Sequence, residues 1–559
     1  MKKLFLFAVL FVFLSVINSR AATYEVGPGR PLTAIAQVPW ATLQPGDTVL
    51  IYWRADPYKE KWVICRQGMA ELPIIVRGVP NSNGDLPVID GNGATTPSNL
   101  NFTGDARSVI KIGSANVPAD TLPKFITIEN LEIRSAHPNY QFTDEFGATG
   151  TYSSSASSIY VEKGENITIR NCKLHDSANG FFVASSDALA SRNILVEGNY
   201  IFGNGIVGSA FQHNNYTAAI GITFQYNRFG AMRAGANGNA LKDRSAGLVV
   251  RYNWLEHGNR QLDLVDGEDS VLIRNAPEYR KTFVYGNVFV EPDGAGNSQI
   301  THYGGDSGNT PNYRKGTLYF YNNTVVSTRT GNTTLFRLST NEETADARNN
   351  IFYVTAAGTS LALLDDTGVL SVSHNWIKPN WRVSHGTATG TINNDGTFVQ
   401  GESPSFINQP AQDFRLMTSS AAVNAGTSLN SNVLPDNNVV RHYVQHQTGS
   451  ARPASGVLDI GAYEVRVPTA AVQITTENLP NARFGRFYNQ IVQASGGLGN
   501  YFWSVSEGSL PPGFWLDETT GMIRGKAVRR GIWNFQISVR DANYSQLSAA
   551  QNFSINITY

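Results

Sequence analysis

Lys242 and Arg244 are the residues of this chain whose types and spacing most clearly suggest chemistry. They stand two positions apart in a segment that reads as a strand, so both side chains are expected on the same side of it. Between Glu197 and Asp243 the sequence contains no Asp or Glu. A cation pair in such a stretch attracts polyanions. The spacing therefore predicts a site for an acidic polysaccharide.

Eliminative cleavage of a uronate polymer would use such a site. The reaction requires that the sugar carboxylate is neutralised, the adjacent proton removed and the leaving oxygen protonated. Arg244 is suited to clamp the carboxylate through two hydrogen bonds. Lys242 is suited to act as the base if a neighbouring cation disfavours its charged form, with Tyr216 or His213 as the proton donor. These four residues are the predicted catalytic set.

Further residues are expected beside this set if successive repeats stack in register. When Leu262 is placed over Leu241, Asp263 follows Lys242 in the next coil, and His302 follows in the coil after that. The predicted substrate-binding residues are Asp263, Asp266, His302, Tyr303 and Arg233.

The same residues leave other functions open. A Lys–x–Arg pair on a strand is also typical of a solvated surface, so one alternative is a non-catalytic glycan-binding or adhesion protein. A second is a glycoside hydrolase, if Asp263 and Asp266 face a common cleft. Whether the chain is an enzyme stays open, with polysaccharide lyase as the favoured hypothesis. Calcium is the one cofactor considered, and its candidate ligands are Asp266, Glu268, Asp269 and Asp541.

A recurring phrase predicts the scaffold that must position these residues. Alternating apolar and polar residues precede an Asn, and an apolar residue follows it, at Asn130, Asn171, Asn199, Asn227, Asn253, Asn287, Asn323, Asn350 and Asn375. The alternation indicates a half-buried strand, and Asn tolerates the left-handed backbone of a corner. The repeat predicts an all-β chain, built as a right-handed parallel β-helix with a small C-terminal β-sandwich.

Two pairs of segments carry a family resemblance. The repeats and the segment Leu458-Asp-Ile-Gly-Ala-Tyr-Glu464 resemble secreted bacterial β-helix proteins of the pectin-lyase-like superfamily. Asn239-Ala-Leu-Lys-Asp-Arg-Ser245 and Gln261-Leu-Asp-Leu-Val-Asp-Gly267 are similar to the active-site segments of the alginate lyase and chondroitinase B family. This resemblance implies that Lys242 is a catalytic lysine. The chain departs from the family by placing Val265 at its Arg position and by lacking its calcium-binding acidic pair.

The C-terminal part carries a separate resemblance. Residues 509–525, Ser-Leu-Pro-Pro-Gly-Phe-Trp-Leu-Asp-Glu-Thr-Thr-Gly-Met-Ile-Arg-Gly, resemble immunoglobulin-like modules, related to cadherin-like sandwiches, of bacterial surface and secreted proteins. We therefore predict a signal peptide over 1–22, the β-helix over 23–466 with its cap and first coils over 23–110, and the sandwich over 471–559.

The N-terminal segment and the balance of charges indicate where the protein is located and which kinds of partner it binds. Lys2 and Lys3 precede an apolar stretch that runs to Ile17, and small residues follow at Ala21 and Ala22, as in a secretory signal peptide. With 44 basic and 44 acidic residues, the chain lacks the basic excess of a nucleic-acid-binding protein. No later segment has the length and apolarity of a membrane span. We expect a secreted monomer that is extracellular, periplasmic or associated with the cell surface, with an acidic polysaccharide as its partner.

Overall fold

The chain forms two compact units. The structure, a computed structural model, describes residues 21–453, 456–466, 468, 470–542 and 544–559. The first unit comprises the described residues up to Arg452 together with Gly456–Glu464, and the second is Val465–Tyr559. The predicted signal peptide lies outside the described residues except for its last two positions. In the described part of the chain, no helix combines the length and apolarity needed to cross a membrane.

The first unit is a parallel β-helix, which confirms the predicted fold class. Most coils give one strand to each of three long sheets of parallel strands. The first sheet has 13 strands: Thr23–Val26, Thr48–Tyr52, Ile74–Val79, Lys124–Glu129, Glu165–Arg170, Arg192–Glu197, Ile220–Gln225, Ala246–Arg251, Lys281–Tyr285, Thr317–Tyr321, Thr344–Arg348, Val369–Ser373 and Thr391–Asn394. The second has 11: Val88–Asp90, Glu132–Arg134, Lys173–His175, Tyr200–Phe202, Arg228–Phe229, Trp254–Glu256, Val288–Glu291, Thr324–Ser327, Ile351–Val354, Trp376–Ile377 and Val399–Gln400.

The third sheet carries the candidate site. Its 10 strands are Trp62–Ile64, Ser108–Ile112, Ser157–Val161, Asn179–Val183, Asn215–Thr217, Leu241–Asp243, Leu262–Leu264, Gln299–Tyr303, Thr333–Leu338 and Leu361–Leu364. Outside the three long sheets, a small three-stranded sheet consists of Ala94–Thr95, Gln141–Thr143 and Thr149–Thr151. Strand pairs also form at Asn101–Phe102 with Ala115–Val117, Phe406–Asn408 with Asp413–Leu416, and Arg441–Val444 with Thr448–Ala451. The helical segments are one α-helical turn, Val271–Arg274, and 3-10 turns at Ile35–Gln37, Asp105–Arg107, Pro277–Arg280, Thr310–Asn312, Gly358–Ser360, Gln409–Ala411 and Ser431–Val433.

Stacked aliphatic side chains fill the interior of the coils. Ile126 pairs with Ile167, which pairs with Ile194 and then Ile222, and all four are buried. Alternation along each strand turns these residues inward and leaves their neighbours outside. Each buried aliphatic side chain stabilises the fold by roughly 1.5–3 kcal/mol. The alternating pattern of the sequence is thus the direct cause of the solenoid.

A ladder of buried Asn side chains runs through one corner. The Oδ1 atom of Asn253 accepts from the backbone N–H and the side-chain amide of Asn227, both at 2.9 Å. The same pattern joins Asn199, Asn227, Asn253, Asn287, Asn323, Asn350 and Asn375. The expectation that these Asn residues adopt the left-handed backbone is wrong from Asn199 onward. That conformation falls on the preceding residue, such as Tyr226 and Tyr252, because the Asn is needed for its side-chain amide.

Replacing one ladder residue is expected to destabilise the solenoid. In Asn253→Ala the buried Asn227 backbone N–H loses its acceptor, and the carbonyl of Phe224, which accepts from Asn253 at 2.9 Å, loses its donor. Each buried group left without a partner costs about 1–3 kcal/mol. The midpoint of urea unfolding should fall, whereas the exposed Asn393→Ala should leave it unchanged. Equal midpoints for the two variants would contradict this role of the ladder.

The coils end at Val399–Gln400, and the rest of the first unit covers them from outside. Phe414 and Tyr443 stack on Trp254, with ring centroids 5.6 and 6.0 Å away. A buried ion pair of 2.7 Å joins Arg452 to Glu464. The segment up to residue 466, predicted as β-helix, therefore includes a covering segment after the last coil, since large aromatic side chains on the outer faces need burial.

The second unit is a small sandwich, and the first unit contains both cysteines. The sandwich strands are Ala482–Arg483, Ser548–Thr558, Gly531–Asp541 and Tyr501–Gly508 in one sheet, Phe487–Ile491, Met522–Lys526 and Phe514–Leu516 in another, and the pair Gln473–Ile474 and Ala494–Ser495. Trp503 is buried among its aliphatic core residues. Cys65 and Cys172 are both buried free thiols.

Candidate active site

Four predicted site residues lie side by side on the third sheet. Tyr216 pairs with Lys242, Lys242 with Asp263, and Asp263 with His302. Leu241 lies over Leu262, which is the register expected from the sequence. A cleft of about 540 Å³ opens over this strip, and its lining includes His213, Tyr216, Lys242, Arg244, Asp263, Glu268 and Asp306.

Lys242 is held between two carboxylates. Its Nζ lies 3.0 Å from Oδ2 of Asp263 and also bonds the carboxylate of Asp306. Burial lowers the pKa of Lys242, but these two carboxylates outweigh burial and raise the pKa above its ordinary value. The expected condition for a base, a disfavoured ammonium form, is therefore not met. The cause is that the neighbouring coils bring acidic residues onto a stretch that contains none itself.

Arg244 is also engaged on every side. Its Nε donates to the hydroxyl of Tyr216 at 2.7 Å, and Nη1 donates to the Asp266 carbonyl at 2.7 Å. Its Nη2 lies 2.7 Å from Oε1 of Glu268 and 2.9 Å from Oδ1 of Asp306. The predicted free clamp for a substrate carboxylate is thus a fixed guanidinium that holds two protein carboxylates.

Asp263 and His302 form a buried hydrogen-bonded chain. Nδ1 of His302 lies 2.7 Å from Oδ1 of Asp263, and Nε2 lies 2.9 Å from Oγ of Ser339. Burial raises the pKa of Asp263, yet Lys242, His302 and Arg260 together hold it well below its usual value. Ser339 accepts from the backbone N–H of Gly305 at 2.8 Å. This series of hydrogen bonds therefore fixes the turn that leads to Asp306.

His213 and Tyr216 form part of the cleft wall. The backbone N–H of Asn239 donates to Nδ1 of His213 at 2.9 Å, which assigns the ring proton to Nε2. Burial, assisted by Lys242, lowers the pKa of His213 to about 3, so the ring is neutral. Burial raises the pKa of Tyr216 despite the two nearby cations. Both side chains are therefore hydrogen-bond donors rather than bases at neutral pH.

Asp306 is the residue that sequence reasoning missed. The turn that contains Asp306 is held by the buried carboxylate of Asp266. Oδ1 of Asp266 accepts from the Asp306 N–H at 2.9 Å, and Oδ2 accepts from the Ser307 hydroxyl. Burial raises the pKa of Asp306, but Lys242 and Arg244 outweigh it and lower the pKa. The signal available was a carboxylate shortly after the His302 strand, behind the pair Gly304-Gly305.

Glu268 faces the same cleft with the opposite pKa shift. Burial raises its pKa, Asp269 and Asp306 add to the rise, and Arg244 only partly counters them. The Glu268 side chain is 35 % exposed and that of Asp306 is 30 % exposed. The cleft therefore offers two accessible carboxyl groups, one with a raised pKa and the other with a lowered pKa.

Four of the five predicted substrate-binding residues do not line the cleft, and one of them, His302, is buried between Asp263 and Ser339. Tyr303 points into the interior, because neighbours of outward-facing His302 on a strand face inward. Arg233 is held by Asp176 at 2.8 Å and by the Gly205 carbonyl. Asp266 is buried beneath the turn of Asp306, so it does not face the cleft with Asp263 as hydrolysis by this pair would require.

The candidate cation ligands do not converge. Among the described residues, no group of three or more His, Cys, Asp and Glu side chains is arranged to hold a metal ion. Asp266 accepts from the turn at 306–307, and Glu268 pairs with Arg244. Asp269 is exposed, and Asp541 belongs to the second unit, where it accepts from the Leu498 N–H. The donor set of the described residues therefore does not fit calcium.

Comparison with known proteins agrees with this architecture. Residues 88–310 match the family described as "Right handed beta helix region", and residues 468–558 match "Putative Ig domain". No curated protein matches the chain.

Several solved structures are similar to the chain at low identity. An alginate lyase from Paenibacillus sp. str. FPU-7 is 11 % identical, with 63 % of this chain and 99 % of that chain covered and a TM-score of 0.39. A GH136 lacto-N-biosidase from Eubacterium ramulus is 12 % identical, with 67 % of each chain covered and a TM-score of 0.33. A DFA-IIIase from Arthrobacter chlorophenolicus A6 is 11 % identical, with 63 % and 82 % covered and a TM-score of 0.31. From its sheets and its two family matches, the chain is a right-handed parallel β-helix protein with a C-terminal immunoglobulin-like domain.

Proposed function

We propose that this protein is a carbohydrate-active enzyme that hydrolyses glycosidic bonds in a polysaccharide, with Glu268 as the general acid and Asp306 as the ionised carboxylate. The observation that carries the proposal is that both carboxyl groups lie in one cleft on the same nitrogen of Arg244, with pKa shifts in opposite directions. Neighbouring carboxyl groups with separated pKa values supply the acid and the base of glycoside hydrolysis. We further propose that the protein is exported and acts as a monomer.

The spacing of the two carboxyl groups favours a double displacement. Oε1 of Glu268 and Oδ1 of Asp306 bond the same nitrogen of Arg244, at 2.7 and 2.9 Å. The distance between these two carboxyl oxygens therefore cannot exceed the sum of the two hydrogen-bond lengths. Retaining glycosidases place their carboxyl groups about 5–5.5 Å apart, and inverting ones about 6.5–9.5 Å. Asp306 would attack the anomeric carbon and form a glycosyl ester while Glu268 protonates the leaving oxygen. Glu268 would then take a proton from a water molecule, which attacks the anomeric carbon and releases Asp306.

The remaining polar groups orient the reacting pair and the sugar. Lys242 keeps Asp306 ionised, and Arg244 holds both carboxyl groups in place. Oε1 of Gln212 is buried in the cleft without a hydrogen-bond partner among the described residues. A buried acceptor of this kind requires a donor, and a sugar hydroxyl supplies one.

Polysaccharide lyase activity is the second candidate, favoured by one observation. A single carboxylate, that of Asp306, bridges Lys242 and Arg244. The carboxylate of a uronate that displaced Asp306 would be neutralised by the same two cations, as β-elimination requires. Non-catalytic glycan binding is the outcome if neither reaction occurs.

Two product assays distinguish these functions. The purified protein is incubated with alginate, polygalacturonate, glycosaminoglycans, xylan and galactomannan. Hydrolysis is expected to release new reducing ends without ultraviolet absorbance from a C4–C5 double bond, and Asp306→Asn should abolish the release. Absorbance that is unchanged or increased in Asp306→Asn would instead establish elimination and overturn the proposed roles. Retention of a polymer without either product would identify a binding protein.

A further inference from the structure

A cation beside the cleft differs from those within it. The guanidinium of Arg107 lies over two aromatic rings, with its Cζ 4.6 Å from the centroid of Tyr160 and 5.0 Å from that of Phe182. Phe182 lines the cleft and stacks on Tyr216 at 4.8 Å. Tyr160, Phe182, Tyr216 and Lys242 follow one another in register on the third sheet. An aromatic row therefore leads from the reacting groups to Arg107.

Within the part of the chain that the structure describes, no carboxylate balances the charge of Arg107. Lys242 and Arg244 each contact two or more carboxylates, whereas no ion pair or side-chain hydrogen bond of Arg107 occurs among the described residues. Its Nε is buried and has no hydrogen-bond partner there. The nearby Glu162 is paired with Lys111 at 2.7 Å. A buried, unsatisfied N–H on a charged group is costly unless a ligand completes it.

Arg107 is fixed at the edge of the cleft by its backbone. It ends the turn Asp105–Arg107, and the carbonyl of Ala106 accepts from the N–H of Ser153 at 3.0 Å. This bond ties the turn to the segment of Ser155, which lines the cleft. Stacking on the rings restrains the guanidinium without using the N–H groups of Nη1 and Nη2, which leaves these groups available to a ligand in the plane of the fork.

We propose that Arg107, held over the faces of Tyr160 and Phe182, forms a subsite for a carboxylate-bearing sugar, a uronate, of the polysaccharide cleaved at Glu268 and Asp306. A guanidinium binds a carboxylate through two parallel hydrogen bonds. Phe211, 82 % exposed, adds apolar surface at the same cleft. This inference rests on the proposed function for its cleavage point and names the acidic class of its substrate.

Binding measurements with matched polymers test the subsite. Polygalacturonate and alginate are titrated into wild-type protein, Arg107→Met and Arg107→Lys, and each polymer is repeated in its esterified, uncharged form. Arg107→Met should weaken binding of at least one polyuronate about tenfold or more, since a bidentate charged contact is lost, and should leave binding of the ester unchanged. Arg107→Lys should recover only part of the affinity, and the exposed Arg382→Met should match wild type.

Each other outcome has a defined meaning. The subsite is overturned if wild-type protein binds neither polyuronate, if Arg107→Met binds them as wild type does, or if it loses the ester equally. Because binding is measured without turnover, the two proposals fail separately. An Arg107-dependent affinity in a protein that cleaves nothing would retain the subsite and reject the hydrolase, whereas cleavage with no dependence on Arg107 would do the reverse.

Discussion

Glu268→Gln is expected to lower the rate of glycan hydrolysis by about 10²–10⁴-fold, the usual contribution of a positioned general acid. The amide keeps the size of the side chain and a hydrogen-bonding group beside Arg244, but it has no proton to give to the leaving oxygen. Initial rates of reducing-end release on the polysaccharide identified as substrate provide the measurement. Glu402→Gln, the same change at a side chain that is 82 % exposed, should retain the wild-type rate.

The pH dependence separates a lost acid from a damaged cleft. Catalysis requires Glu268 protonated and Asp306 ionised, so the wild-type rate should fall as pH rises through the raised pKa of Glu268 and as pH falls through the lowered pKa of Asp306. The residual rate of Glu268→Gln should keep the acid limb and lose the alkaline limb. An alkaline limb that persists in the variant would assign it to another group and reject Glu268 as the acid.

Arg314→Met is expected to destabilise the β-helix by about 3–5 kcal/mol, as breaking a buried ion pair does. Arg314 and Asp243 are both fully buried, with Nη2 and Oδ1 3.7 Å apart. Arg314 also donates to the carbonyls of Ser245 and Val265, at 2.7 and 2.9 Å. Met fills much of the volume but leaves the Asp243 carboxylate without its cation. The midpoint of urea unfolding at neutral pH measures the loss.

Two further measurements identify the unpaired charge as the cause. Burial already raises the pKa of Asp243 with Arg314 in place, and loss of the cation raises it further. A carboxyl group whose pKa is raised in the folded state destabilises the fold when it is ionised, and this cost disappears as pH falls and the group is protonated. The difference in free energy of unfolding between Arg314→Met and wild type should therefore narrow as pH falls. Asp243→Asn added to Arg314→Met should recover part of the loss. A gap that is independent of pH would attribute the effect to packing alone.

The sequence predicted the scaffold well because its cause is local. Alternation before each repeating Asn specifies both the strands and the register, and that register was sufficient to place Tyr216, Lys242, Asp263 and His302 on one strip. The roles expected for Lys242 and Arg244 depended on the charges of their own segment. Those charges are balanced by Glu268 and Asp306 from other coils, at positions set by turns of unequal length that the repeat does not encode.

The binding role proposed for Arg107 could not be predicted from the sequence, for the same physical reason. It precedes a strand rather than lying in one, so its position in the repeat does not reveal which rings its side chain covers. Its significance comes from an absence of partners in three dimensions, and the composition of a single segment gives no sign of that absence.

Because successive coils each add one strand, side chains at matching positions of the third sheet lie at regular intervals. Neighbouring strands lie about 4.8 Å apart, so Tyr160 and Lys242, three strands apart, are separated by roughly 14 Å. A coil gained or lost between them would change this interval by a single step and leave each end intact. Selectivity in such a fold then depends on whether the spacing of charged groups along a polymer matches the spacing of binding groups that the coils set.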